Sequence, residues 1–125
     1  MRFYRYTFWL LAFAHFGLGA LFCFAPQIVL NALHMNSTPQ ILIQTQGLFF
    51  WMLAAGFAYA SESPEHGVPV VALMTLVKTL TPLFSWLGFL RNELSGSYLS
   101  FELILDLSAL PLLISYFFWF FHRPR

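Results

Sequence analysis

The apolar positions of this chain fall in four long runs. They show neither the alternation of a half-buried strand nor the narrow stripe of a surface helix. A membrane-crossing helix needs about 20 mostly apolar residues, and the stretches 6–25, 41–60, 68–90 and 98–121 supply them. The pattern predicts an all-α integral membrane protein, a four-transmembrane-helix bundle forming one membrane domain over 1–125.

The breaks between the runs carry helix punctuation. Thr38 before Pro39 reads as an N-cap followed by proline at the first helical position, and Ser63 before Pro64 repeats the arrangement. Ser95, Gly96 and Ser97 form a loop with capping candidates for the last span. The longest connection, 26–39, places Gln27, Asn31 and His34 at i, i+4 and i+7, with Ile28, Val29, Ala32 and Leu33 turned away. It reads as a short amphipathic segment between the first two spans, lying on the membrane surface or packed on the bundle. In either case it covers one end of the helices.

Composition supports the lipid solvent. Only 9% of the residues are charged and 59% are hydrophobic, whereas a soluble domain is about 25% charged. A water-soluble fold of this length buries only about 60–70% of its unfolded surface and would leave much of that apolar area wet. The net charge of +1 provides no basic patch, so no nucleic-acid partner is expected. Cys23, the single cysteine, excludes an intramolecular disulfide and a thiolate metal cage. The N-terminal run is too long for a signal core, and Pro26 follows the only small residues; the first helix is expected to be retained.

Orientation follows from Lys and Arg in the short flanks. One side has Arg2, Arg5, Arg123 and Arg125, the other only Arg91. Both termini are therefore expected in the cytoplasm. Trp9 and Trp119 then fall at the inner interface, Trp86 and Tyr98 at the outer one, and Trp51 mid-span as packing.

The candidate chemistry is ionic. Lys78 falls near the middle of the third span, and Glu102 and Asp106 share one face of the fourth at i, i+4. An ionisable residue inside a span costs on the order of 2.5–3.5 kcal/mol on insertion scales, so three of them are expected to meet. At a rise of about 1.5 Å per residue, Asp106 lies roughly 12 Å and Lys78 roughly 18 Å below the same surface. A lysine stem can bridge that difference, which makes Lys78 and Asp106 direct partners. Glu102, nearer the surface, is expected to be hydrated or protonated. Pro82 removes the usual donor to the Lys78 carbonyl, which Thr81 or a water could replace, and Pro111 does the same at Leu107. His15 at mid-depth, Ser85 on the Lys78 face and Gln46 in the outer half of the second span add polar groups to a possible cavity. Gly56 and Ala60, with Ala54 and Ala58, form a small-residue surface suited to close helix packing.

Two readings of the cluster stand. It is a register-fixing ion pair, or it is a site for a small polar or lipid-like ligand or a proton. Intramembrane charges favour the second. An enzyme using Asp106 as acid or base and a purely structural subunit are the alternatives to a binding or accessory role. No nucleotide loop, serine triad or metalloprotease helix occurs, and no cofactor is named by the sequence. The partners expected are the bilayer, a lipid or small amphipathic ligand, and a second copy or a larger membrane complex.

From Gly47 to Pro111 the order of features resembles a group of small, uncharacterised four-helix bacterial inner-membrane proteins. The shared features are Gly47-Leu48-Phe49, Gly56-Phe57-Ala58-Tyr59-Ala60, Pro64, His66, Val70-Val71, Lys78, Pro82, Asp106-Leu107 and Pro111. At a coarser level the chain is similar to DoxX-like membrane proteins. The resemblance implies the bundle, an inner-membrane location, and importance for Lys78 and Asp106; it brings no activity.

Overall fold

In a computed structural model, which describes residues 2–124, the chain forms five helices. They are α1 (Arg2–Phe24), α2 (Pro26–Ala32), α3 (Gln40–Glu62), α4 (Val68–Leu90) and α5 (Gly96–His122). The four long helices are each long and apolar enough to cross a membrane. α1 and α3 form one closely packed pair and α4 and α5 another, while the α3–α4 seam is looser. Arg125, which counts in the orientation argument, lies outside the described residues.

Each helix buries one stripe. On α5 it is Leu99, Glu102, Asp106, Ala109, Leu113 and Tyr116, alternating three and four residues apart as in a left-handed bundle seam. On α4 it is Val71, Met74, Lys78, Pro82, Ser85 and Gly88. The charged residues thus occupy core seam positions, not the outside. The outside is apolar instead: Leu10, Met52, Leu73, Phe84 and Ile104 are exposed. That arrangement suits hydrocarbon as solvent, where packing and satisfied polar groups, not apolar burial, hold helices together.

The tightest approach is between Gly19 of α1 and Gly47 of α3. A Cβ on Gly47 would sit 2.9 Å from the Gly19 carbonyl oxygen, and one on Gly19 would sit 2.8 Å from that of Gly47. Only hydrogen fits at either position. Trp51 lies against Gly19 and donates its indole N–H to the Phe16 carbonyl (3.1 Å), so it packs mid-span as expected. The Gly56 face meets Met74 and Val70 of α4, and Ala60 meets Gly67, so this small-residue surface serves packing inside the protomer.

At the end that carries the termini, Arg5 donates to the Ser61 and Glu62 carbonyls (both 3.4 Å), placing a cation at the C-terminus of α3. Arg123 stacks on Trp119 and Phe120. At the far end, α2 lies across the bundle with Pro26, Val29 and Leu30 buried and Gln27 and Asn31 exposed. It is amphipathic, but Ile28 and Ala32, expected on the hidden side, are exposed, because the buried stripe follows Val29 and Leu30. Ser95 caps α5 by accepting from the Tyr98 N–H, as expected. The other two caps differ. Pro39 itself occupies the N-cap of α3, and Gly67 that of α4, with Ser63 ending α3. Ser-Pro and Thr-Pro mark turns as readily as caps, and here the turn wins. α1 starts at Arg2, not residue 6, because its arginines continue the helix beyond the apolar run.

Candidate functional site

Lys78 is 1% exposed, and its ammonium makes two side-chain contacts. It donates to Asp106 Oδ1 at 2.9 Å across the α4–α5 interface. It also lies 2.7 Å from His15 Nε2 of α1. The tautomer of His15 follows from its neighbours. Nδ1 lies 2.8 Å from the Leu11 carbonyl, which can only accept, so Nδ1 carries a proton. A second proton on Nε2 would set two donors head to head with the ammonium. Nε2 therefore presents its lone pair to Lys78.

Beyond Asp106, the Glu102 carboxyl lies one helical turn along α5 and beside it. Gln46 of α3 donates to Glu102 Oε1 at 3.4 Å, and the Tyr98 hydroxyl stands beside the same carboxyl. Asp106 Oδ2 is buried with no hydrogen-bond partner among the described residues. A buried carboxylate oxygen left without a donor is costly. The cluster holds one cation, two carboxyls and one imidazole, contributed by α1, α4 and α5, with a glutamine from α3.

Of the residues singled out from the sequence, Lys78, Asp106, Glu102, His15 and Gln46 come together. Glu102, expected to be hydrated or protonated, is 1% exposed within the protein, with Gln46 and Tyr98 beside it. Ser85 is buried but stands apart from the ammonium, on the wall of a neighbouring pocket. Thr81 lines that pocket too. Gln44 turns to α1, donating to the Cys23 carbonyl (3.2 Å). Tyr98, read as an interfacial anchor, is a member of the cluster; its i, i+4 spacing from Glu102 is the signal for it. The direct His15–Lys78 contact had no such signal, because depth along a helix does not fix its rotation.

The pocket has a volume of about 320 Å³ and opens at the far half of the α3–α4 seam, between Gln46, Phe49, Thr81, Phe84, Ser85, Leu94 and Tyr98. Gln46, which donates to Glu102, and Tyr98, beside the same carboxyl, both line it. Along the same seam toward the termini lies a second groove of about 290 Å³, lined by Phe49, Met52, Leu53, Gly56, Val70, Leu73, Met74 and Val77, all apolar or glycine. Phe49 is common to both. The seam thus carries two grooves that share Phe49 as a wall, one lined in part by polar groups and the other apolar.

On the termini side of His15 the interior is aromatic. Phe57 packs on the His15 ring at 5.0 Å, and Phe8 packs on Phe57 at 6.2 Å and on Tyr116 at 5.5 Å. All three aromatic residues are fully buried. The Tyr116 hydroxyl is committed to the Pro64 carbonyl. Polar groups thus connect the pocket to mid-depth and stop there. No protein-family model, curated protein or solved structure matches the chain.

Proposed function

We propose that the chain is a binding or accessory membrane protein. It holds a small amphipathic, lipid-like molecule along the α3–α4 seam, with the polar end toward the Lys78–Asp106–Glu102 cluster. The observation that carries this reading is the pair of grooves on one seam, sharing Phe49, one with polar groups in its lining and the other apolar. Ligand sites combine an apolar wall with a few placed polar groups, and this seam has that form. Exposed Phe49 and Phe84 at its mouth give a lateral entrance from lipid. The aromatic layer favours binding over passage through the bundle. In the orientation given by Lys and Arg, the polar end belongs to the outer half of an inner membrane, with the termini cytoplasmic.

The test is purification in a lipid-preserving polymer, followed by mass spectrometry of the bound amphiphiles. Wild-type protein is expected to retain a near-stoichiometric species that Ser85→Trp and Gly56→Phe displace. Leu107→Phe, on the exposed face of α5, leaves it in place. Equal retention by all variants would overturn the reading.

A further inference from the structure

Charge accounting of the cluster names the class of ligand. This step rests on the reading of the seam as a ligand track. The buried ionisable groups are Lys78, Asp106, Glu102 and His15. His15 presents an uncharged tautomer to Lys78, and Lys78 lies against Asp106 at 2.9 Å. Glu102 has no cation of its own: Lys78, which faces it, is already paired with Asp106, and its other neighbours are the neutral donor Gln46, the Tyr98 hydroxyl and the Asp106 carboxyl. A second negative charge beside Asp106 in this setting is strongly unfavourable. Asp106 Oδ2 independently lacks a donor. One additional positive unit bearing a hydrogen, placed between the two carboxyls, answers both deficits.

We propose that the site takes a monocationic amine on an apolar tail, exchanged for a proton carried by Glu102. Without the amine, that proton supplies the donor which Asp106 Oδ2 lacks. When the ammonium arrives through the pocket, the carboxylic O–H bond breaks and the proton leaves to solvent. The ammonium N–H groups then donate to the carboxylates, and the cluster keeps its charge. Gln46 and Tyr98, which line the pocket and stand beside Glu102, are the groups the ammonium would have to displace. The groups facing Glu102 are Gln46 from α3, Lys78 from α4, and Tyr98 and Asp106 from α5; His15 of α1 reaches it only through Lys78.

The experiment uses the full chain in detergent and four probes of one alkyl length: the primary ammonium, the trimethylammonium, the alcohol and the carboxylate. Binding is measured by calorimetry in two buffers of different ionisation heat. The primary ammonium is expected to bind about tenfold or more tighter than the alcohol, with release of about one proton per ligand. The trimethylammonium, a cation without N–H donors, is expected to bind more weakly than the primary ammonium. Glu102→Gln should remove both the preference and the proton release. Preference for the carboxylate, lost in Lys78→Met, overturns the charge class but leaves the ligand track standing. Equal binding of all probes does the same. Binding of none defeats the track and this proposal together. If Glu102→Gln does not fold, the buffer comparison on the wild type still decides.

Discussion

Lys78 Nζ stands 2.7 Å from His15 Nε2 and 2.9 Å from Asp106 Oδ1, so the buried cation is held between α1 and α5 while belonging to α4. The histidine is as close a partner as the aspartate. Replacing His15 with Leu takes an acceptor from a buried ammonium, a loss of about 1–3 kcal/mol. His15→Gln keeps an acceptor on a side chain of similar reach and is expected to recover part of it. Reversible unfolding in mixed micelles measures both; a Leu variant as stable as wild type would show that the contact contributes nothing.

The Lys78–Asp106 pair predicts strong coupling. Breaking a buried pair by removing one partner costs about 3–5 kcal/mol, because the other charge is left uncompensated. Lys78→Met and Asp106→Leu are each expected to fall in that range, and the double variant is expected to recover much of the loss. The same cycle read by ligand retention separates roles. Stability recovered with retention still lost marks a binding site, and recovery of both marks a register-fixing pair.

The Gly19–Gly47 crossing predicts intolerance to a single methyl group. At Gly47 an added Cβ would meet Cys23 Sγ at 2.7 Å, Phe22 Cβ at 2.9 Å and the Gly19 carbonyl oxygen. Gly47→Ala is expected to cost about 1–3 kcal/mol through overpacking. Gly17, whose Cβ would meet nothing within 4 Å, is the control; Gly17→Ala should cause no loss, since alanine is the better helix former by up to about 1 kcal/mol. Similar losses at both positions would count against a tight crossing.

Orientation is tested by labelling single cysteines with an impermeant maleimide in intact cells, in a Cys23→Ala background. Glu65 and Glu93 are exposed at opposite ends of the bundle and disturb no cap. Glu93→Cys is expected to label and Glu65→Cys only after permeabilisation. The reverse pattern would place the termini outside.

The spans were legible because hydropathy over about 20 residues is a long signal. The third was read at its observed limits, 68–90. Lys78 with Asp106 was legible because rise per residue fixes depth, and i, i+4 spacing fixes a shared face on α5. What stayed hidden depends on rotation between helices distant in sequence. His15 could have faced lipid, and nothing local indicates that α3 turns Gln46 to Glu102 and Gln44 to Cys23. Gly19 and Gly47 belong to different spans, and nothing local indicates that they touch.

The layer of Phe8, Phe57 and Tyr116 has an electrical consequence. A membrane that stores energy as an ion gradient is discharged by any unbroken file of polar groups across it. Here the file begins at the far end and stops against three rings at mid-depth. The Phe8 and Phe57 rings offer no site for a proton or a hydrated ion, and the Tyr116 hydroxyl is already donated to the Pro64 carbonyl, so this layer has the character of the dielectric of a capacitor. The fold thus keeps ionisable groups in its core without extending their polar file past the aromatic layer.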